Sequence, residues 1–295
     1  MNRMNRIKNA FGKNTGKAFI AFVTGGDPTL AKSEDYIITM IRAGADLVEI
    51  GVPFSDPVAE GTVIQEANIR ALASGATVEK MFGLVESLRA RIAREGLNDV
   101  PLVFLSYLNP VFRYRLSGAR DGANGYAAFF ERCAKSGVDG IIIPDLPFEE
   151  QDEVRPAASS RGIDLISLAA PTSKERIGEI AKAATGFLYI VSSMGVTGVR
   201  GNIETDLGGI MALLRGAPPC GAGITAETLP AAVGFGISTP EQAAGIAKIA
   251  DGVIVGSAIV KIIAADPYHA GEAIASYIGA MKAAVLQAGM LPATG

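Results

Sequence analysis

Histidine is nearly absent from this 295-residue chain: there is one, His269, and only two cysteines, Cys133 and Cys220. A single imidazole excludes histidine-based triads and histidine metal clusters. Acid–base chemistry therefore falls to carboxylates, tyrosine or lysine. Two cysteines make no disulfide framework, and neither sits in a C-x-x-C pair, so a reducing cytosol and a cytoplasmic location are expected. No apolar run reaches the ~18 residues of a membrane span. The basic N-terminal stretch "MNRMNRIKNAFGKNTGKAF" lacks the apolar centre of a secretory signal. Cationic excess is missing too. The net charge is −3 and the isoelectric point about 5.4, which leaves no basic footprint for nucleic acid or an anionic membrane. His269, ahead of the last helical pattern, and Cys133, within "AFFERCAKSG", read as structural.

What the chain does have is a regular alternation of short apolar runs with helical patterns. Strands are predicted over 18–26, 47–52, 101–107, 140–145, 164–170, 187–193, 231–237 and 252–258. Their hydrophobicity is continuous, which means burial on both faces, as in a parallel sheet under helices. "AGADLVEI", "SGVDGIII", "RGIDLISL" and "IADGVIVG" repeat one device, a glycine-closed helix end turning tightly into a strand. "TSKE" (172–175) and "STPE" (238–241) read as capping boxes, the second with Pro240 in the first helical turn. Eight strands with intervening helices fit a single (β/α)8 TIM-barrel domain spanning 1–295. A doubly wound sheet is the alternative, because spacing alone does not show closure. An N-terminal helix and two surface insertions, near 113–126 and 218–230, complete the expected organisation.

"LVEIGVPFSDPVAEG" carries the sharpest signal. Strand parity puts Leu47, Glu49 and Gly51 on one face, and Val48, Ile50 and Val52 on the other. A carboxylate in an apolar strand is costly unless it is used. Near the C-terminal end of a barrel strand it lies at the catalytic mouth, with a raised pKa that suits a proton donor. The bland reading is an interior ion pair with a lysine or arginine. Asp56 and Glu60 follow in the loop, and composition alone makes them solvated acids. Late glycine-bearing strand ends, "SSMGVTGVRG", "VGFGIS" and "VGSAIV", with a helix starting near Ser257, suggest a backbone-amide pocket for a phosphate group. Ordinary tight turns are the alternative. Tyr189 shares a face with Phe187 and Val191, and Tyr107 ends the third strand. Either tyrosine could simply be core.

Taken together, "FVTGGDP" (22–28), "VEIGVPFSDPVAEG" (48–61), "YLNPVF" (107–112), "YIVSSMGVTG" (189–198), "VGFGIST" (233–239) and "GSAIVKII" (256–263) resemble the tryptophan synthase alpha chain family. The match runs over nearly the whole chain, in the family's order. The resemblance implies a (β/α)8 barrel that cleaves indole-3-glycerol phosphate to indole and glyceraldehyde 3-phosphate, with no cofactor and no metal. It implies Glu49 and Glu60 as the catalytic carboxylates and Tyr189 as an active-site tyrosine. Gly198, Gly236, Gly256 and Ser257 match phosphate-binding positions. Phe22 and Phe235 match contacts to the indole, Tyr107 joins that substrate-facing group, and Thr197 matches the hydroxyl of a mobile loop. A beta chain is the implied partner, in an alpha2beta2 assembly. The mouth residues Asp27, Pro53, Asp56, Pro57, Asn109 and Pro110 are its expected surface, Asp56 being the signalling position.

The chain departs from the family at three points. Glu60 stands where the family has Asp, Thr62 stands where it has Pro, and the two insertions lengthen loops that are usually direct. These departures motivate a rival reading, an alpha-like subunit of weak or no activity that mainly holds and activates a beta chain. A phosphosugar isomerase or aldolase on the same barrel is a further rival. A Schiff-base aldolase needs a strand-end lysine, and the eight predicted strands contain none.

Overall fold

The computed structural model describes residues 6–12, 16–115, 125–170, 174–191, 207–216, 229–234 and 236–290. Eight parallel strands close into a barrel in chain order, with the first paired to the last. They are β1 (Ala18–Thr24), β2 (Leu47–Gly51), β3 (Leu102–Leu105), β4 (Gly140–Ile142), β5 (Asp164–Ala169), β6 (Leu188–Val191), β7 (Ala231–Gly234) and β8 (Gly252–Val255). Closure removes the doubly wound alternative. Every predicted strand is present. Where the predicted C-terminal ends are described, the strands stop short of them, because the chain there turns into the loops and helices of the mouth. Tyr107, expected to end the third strand, lies two residues beyond β3 and starts a short helix instead.

The helices are α1 (Arg6–Gly12), α2 (Leu30–Arg42), α3 (Thr62–Ala73), α4 (Val78–Arg94), α5 (Leu108–Phe112) and α6 (Gly125–Ser136). They continue as α7 (Arg155–Ser159), α8 (Lys174–Ala183), α9 (Leu207–Gly216), α10 (Pro240–Ala247), α11 (Ser257–Ala265) and α12 (Gly271–Met290). The second capping box is real but sits one residue later than "STPE" suggests. Thr239 is the N-cap and Gln242 the reciprocating side chain, with Pro240 at the first helical position. Ser238 is drawn into the same motif, its N–H donating to Gln242 Oε1 at 2.8 Å. Of the first box, Thr172 and Ser173 lie outside the described residues.

Strand parity sorts the core into two shells. The outward set, including Val48, Ile50 and Val52, packs beneath the helices. The inward set, including Ile20, Leu47, Val103, Phe187 and Ile254, fills the barrel. Helix α1 closes the barrel's N-terminal end: Ile7 and Phe11 join the inward shell, and the Phe11 and Phe187 ring centroids are 5.4 Å apart. Arg6 fastens α1 by donating to Asp99 at 2.8 Å and to the buried Asp139 at 3.0 Å. Arg89 of α4 bonds the same two carboxylates. Such a network, with every charge paired, holds its parts in one arrangement. Residues 116–124 and 217–228, the bulk of the two expected insertions, lie outside the described residues.

Candidate active site

At the open end of the barrel the inward positions stop being uniformly apolar. Glu49 stands in register with Phe22 of β1 and Val103 of β3, and its face of β2, shared with Leu47, is the one that points into the interior. It is 1% exposed. Neither carboxylate oxygen has a hydrogen-bond partner among the described residues. The interior lysine or arginine that would have made it structural is therefore not found there. Burial pushes its carboxyl up to about 8, so near neutrality Glu49 holds its proton. A neutral, buried acid with no acceptor among the described residues is poised for whatever enters the mouth.

Tyr189 of β6 shares this chamber. Burial first, and then the charge of Glu49, raise its phenol well above the ordinary range. It stays a neutral donor at any working pH. Its hydroxyl lies against Gly234 of β7: a Cβ built there would come within 2.4 Å of Tyr189 Oη. Phe22 is seated in the same way. A Cβ at Gly51 would fall 2.8 Å from its ring, and one at Gly256 would fall 3.1 Å from it. Close approach to these two aromatics is the reason for glycine at all three strand ends. Thr24, level with Gly51 at the top of β1, adds a second buried and unpartnered polar group, its hydroxyl.

The loop from β2 to α3 brings in the second carboxylate. Ala59 N–H donates to the Tyr107 hydroxyl at 3.0 Å, and the Phe54 and Tyr107 rings lie 5.2 Å apart. Gln65 Nε2 donates to the Glu60 carbonyl at 2.9 Å. Asn68 Nδ2 donates to Glu60 Oε2 at 2.7 Å. Burial pushes the Glu60 carboxyl up to about 6, against the opposing pull of the Asn68 bond. Near pH 7 the two acids therefore differ: Glu49 is protonated and Glu60 ionised. Environment alone separates two groups of one intrinsic acidity. Thr62, where the family has Pro, is the first residue of α3, behind Gly61 as an N-cap without a side-chain bond. Pro is favoured at that position because its missing N–H has no helical partner there, and Thr fills it without penalty to the ladder.

On the neighbouring side, where α11 packs against α3, Gly256 is the N-cap of α11 and supplies no side-chain cap, so the helix presents its first amides at the mouth beside Ser257. Gly236 has φ 76°, a left-handed backbone, and like Ser257 it is exposed. Thr197, Gly198 and Phe235 lie outside the described residues.

The mouth rim is divided. Asp56 and Asn109 are exposed, Pro57 and Pro110 half-buried and Pro53 buried. Val58 and Phe112 are exposed at 80% and 58%. Asp27 is different. It is buried, and Arg70 of α3 grips it with two bonds, Nε to Oδ1 at 2.9 Å and Nη2 to Oδ2 at 2.8 Å. Its carboxylate is engaged inside the chain. His269 is exposed and 3.1 Å from Asp266, and Cys133 is buried on α6. Sequence reasoning missed Asn68. The signal was present: Ile64, Ala67, Asn68 and Ala71 form the buried stripe of α3. An amide in such a stripe asks the same question as an acid in an apolar strand.

No helix among the described residues is long and apolar enough to cross a membrane. The family model for the tryptophan synthase alpha chain matches residues 9–286. A tryptophan synthase alpha chain of Lacticaseibacillus casei is 43% identical over 282 residues, covering 96% of each chain. Among solved structures, the alpha subunit from Legionella pneumophila superposes with a TM-score of 0.77 at 33% identity, covering 97% of this chain and 98% of that one. A chain from a structure of the tryptophan synthase a2b2 complex of Pyrococcus furiosus, described there as mutually activated, gives 0.74 at 33% identity over 91% and 98%. With its closed barrel and these likenesses over nearly its full length, the chain belongs to the tryptophan synthase alpha chain family.

Proposed function

We propose that Glu49 and Glu60 divide between them the acid–base work of this family's reaction, the cleavage of indole-3-glycerol phosphate to indole and glyceraldehyde 3-phosphate. The observation that carries this reading is the buried, unpartnered and protonated Glu49 in the barrel mouth. Indole is a poor leaving group from C3. Glu49 gives its proton to C3, and positive charge develops at the ring N1–H, where the Glu60 carboxylate stabilises it. The C3–C bond to the glycerol chain then breaks, and its electrons return to the ring. The glycerol hydroxyl becomes the aldehyde and gives its proton to the Glu49 carboxylate. Protons balance, and Glu49 ends as it began. Tyr189 supplies a neutral hydroxyl beside Glu49, while Phe22 and Tyr107 line the indole side. The phosphate rests on backbone amides at Gly236, Gly256 and Ser257.

A beta chain is the proposed partner, in the cytoplasm, docking on the exposed rim around Asp56, Pro57 and Asn109, where Val58 and Phe112 add apolar surface. Steady-state cleavage of indole-3-glycerol phosphate, by the chain alone and with a beta chain, tests the whole reading. Indole release in both assays is expected, faster with the partner. No indole in either would leave a binding subunit. The phosphate seat has its own check. Gly236→Val forces a β-branched residue into a left-handed backbone and places a side chain at the pocket, so KM should rise at least ~10-fold. An unchanged KM would move the phosphate elsewhere.

A further inference from the structure

Asn68 is buried on the inner face of α3 and uses both ends of its amide. Its Nδ2 donates to Glu60 Oε2 at 2.7 Å. Its Oδ1 accepts from the Phe54 N–H at 3.4 Å, at the other end of the same loop. The helix that carries it is itself pinned: Arg70 holds Asp27, and Ser74 Oγ donates to the Gly26 carbonyl at 3.0 Å. Asn68 is thus a fixed point to which the loop between β2 and α3 is tied twice. Glu60 is longer by one methylene than the family's aspartate, and this added reach is what a partner on the helix must restrain.

We propose that Asn68 is a positioning residue for the reaction: it selects the rotamer of Glu60 that faces the indole nitrogen and favours its ionised form by donating to it. The inference rests on Glu60 acting as the charge partner at N1. A charge-assisted bond of this kind is stronger than a neutral one and acts on the carboxylate only. Among the described residues the titratable group facing Glu60 from another element is Tyr107, whose phenol is itself held above its ordinary range, chiefly by burial. It stays neutral while Glu60 titrates.

The test uses the full chain with a saturating beta chain, carrying Asn68→Ala or the near-isosteric Asn68→Asp, each alone and combined with Glu60→Gln. Two quantities are read: kcat for cleavage, and the Glu60 carboxyl pKa by 13C NMR of the full chain, with Glu60→Gln identifying the resonance. Asn68→Ala should lower kcat roughly 10- to 100-fold, the scale of a slightly misplaced catalytic group. It should also move the Glu60 pKa upward. Asn68→Asp should move it further, since two carboxylates then share one site. In the Glu60→Gln background neither change should lower kcat again. An unmoved pKa and kcat in both variants would overturn the proposal, and so would an undiminished loss on top of Glu60→Gln. Failure of the Glu60 reading looks different: Glu60→Gln would keep parental activity. The NMR shift alone would then decide whether Asn68 holds the carboxylate.

Discussion

Glu49→Gln should abolish indole release, a loss of at least ~10³-fold, while the barrel stays folded and phosphate still binds. The amide keeps the shape of the protonated acid but has no proton to give C3. A residual rate above a few per cent of the parent would remove Glu49 from the chemistry. The same substitution should reveal what the acid costs the fold. The folded pKa is about 8, against an ordinary value of 4.5. Between these values the folded chain binds more protons than the unfolded one. Stability from this group is therefore complete below about 4.5 and drains away as pH rises to about 8. Glutamine does not titrate. Its stability advantage over the parent should grow by several kcal/mol, at most roughly 5, between pH 5 and pH 9. Urea unfolding at the two pH values reads that difference. Equal differences at both would mean that Glu49 is not held neutral by burial.

Glu60→Ala comes second. It removes the charge opposite N1 in a water-poor chamber, on the scale of losing one preorganised electrostatic partner, about 10²- to 10³-fold in kcat. Glu60→Asp should stay within ~10-fold, because the shorter acid is what the family ordinarily carries. An alanine variant as fast as the parent would refute the assignment. The two acids also set a pH window. Activity needs Glu60 ionised, so it should rise through about 6, and it needs Glu49 protonated, so it should fall through about 8. In Glu60→Ala the rising limb should vanish and the falling limb remain.

Much of this was legible in the chain because it follows from short-range rules. Continuous β-branched runs with glycine-closed turns identify all eight strands, and period-two parity is enough to group Glu49 with Leu47 and Gly51, while only closure of the barrel shows that this face is the inner one. The lapses have physical causes. Predicted strand ends run past the ladder, since nothing local marks where a strand gives way to a turn at the mouth. The capping box was placed at Ser238, not Thr239, because both offer a hydroxyl and only the geometry chooses between them. Asp27 reads as a rim acid beside a proline. Its burial depends on Arg70, 43 positions away, and no local pattern carries that pairing. Asn68 differs again, since its stripe was visible and only its bond to Glu60 needed the third dimension.

Helix α1 seals the end of the barrel away from the chemistry, and that end of such folds is usually held to concern stability. Here the two ends share a single apolar shell. Phe11 bears on Phe187, and Phe187, just ahead of β6, belongs with Tyr189 to one packed shell. A Cβ at Gly252 would strike Phe11 at 2.9 Å, just as one at Gly234 would strike the tyrosine hydroxyl at 2.4 Å. The N-terminal helix is thus a footing, and the height of the chamber floor is gauged from it. Shortening Phe11 would open a void beneath Phe187 and loosen the packing of that shell from the pole opposite the mouth.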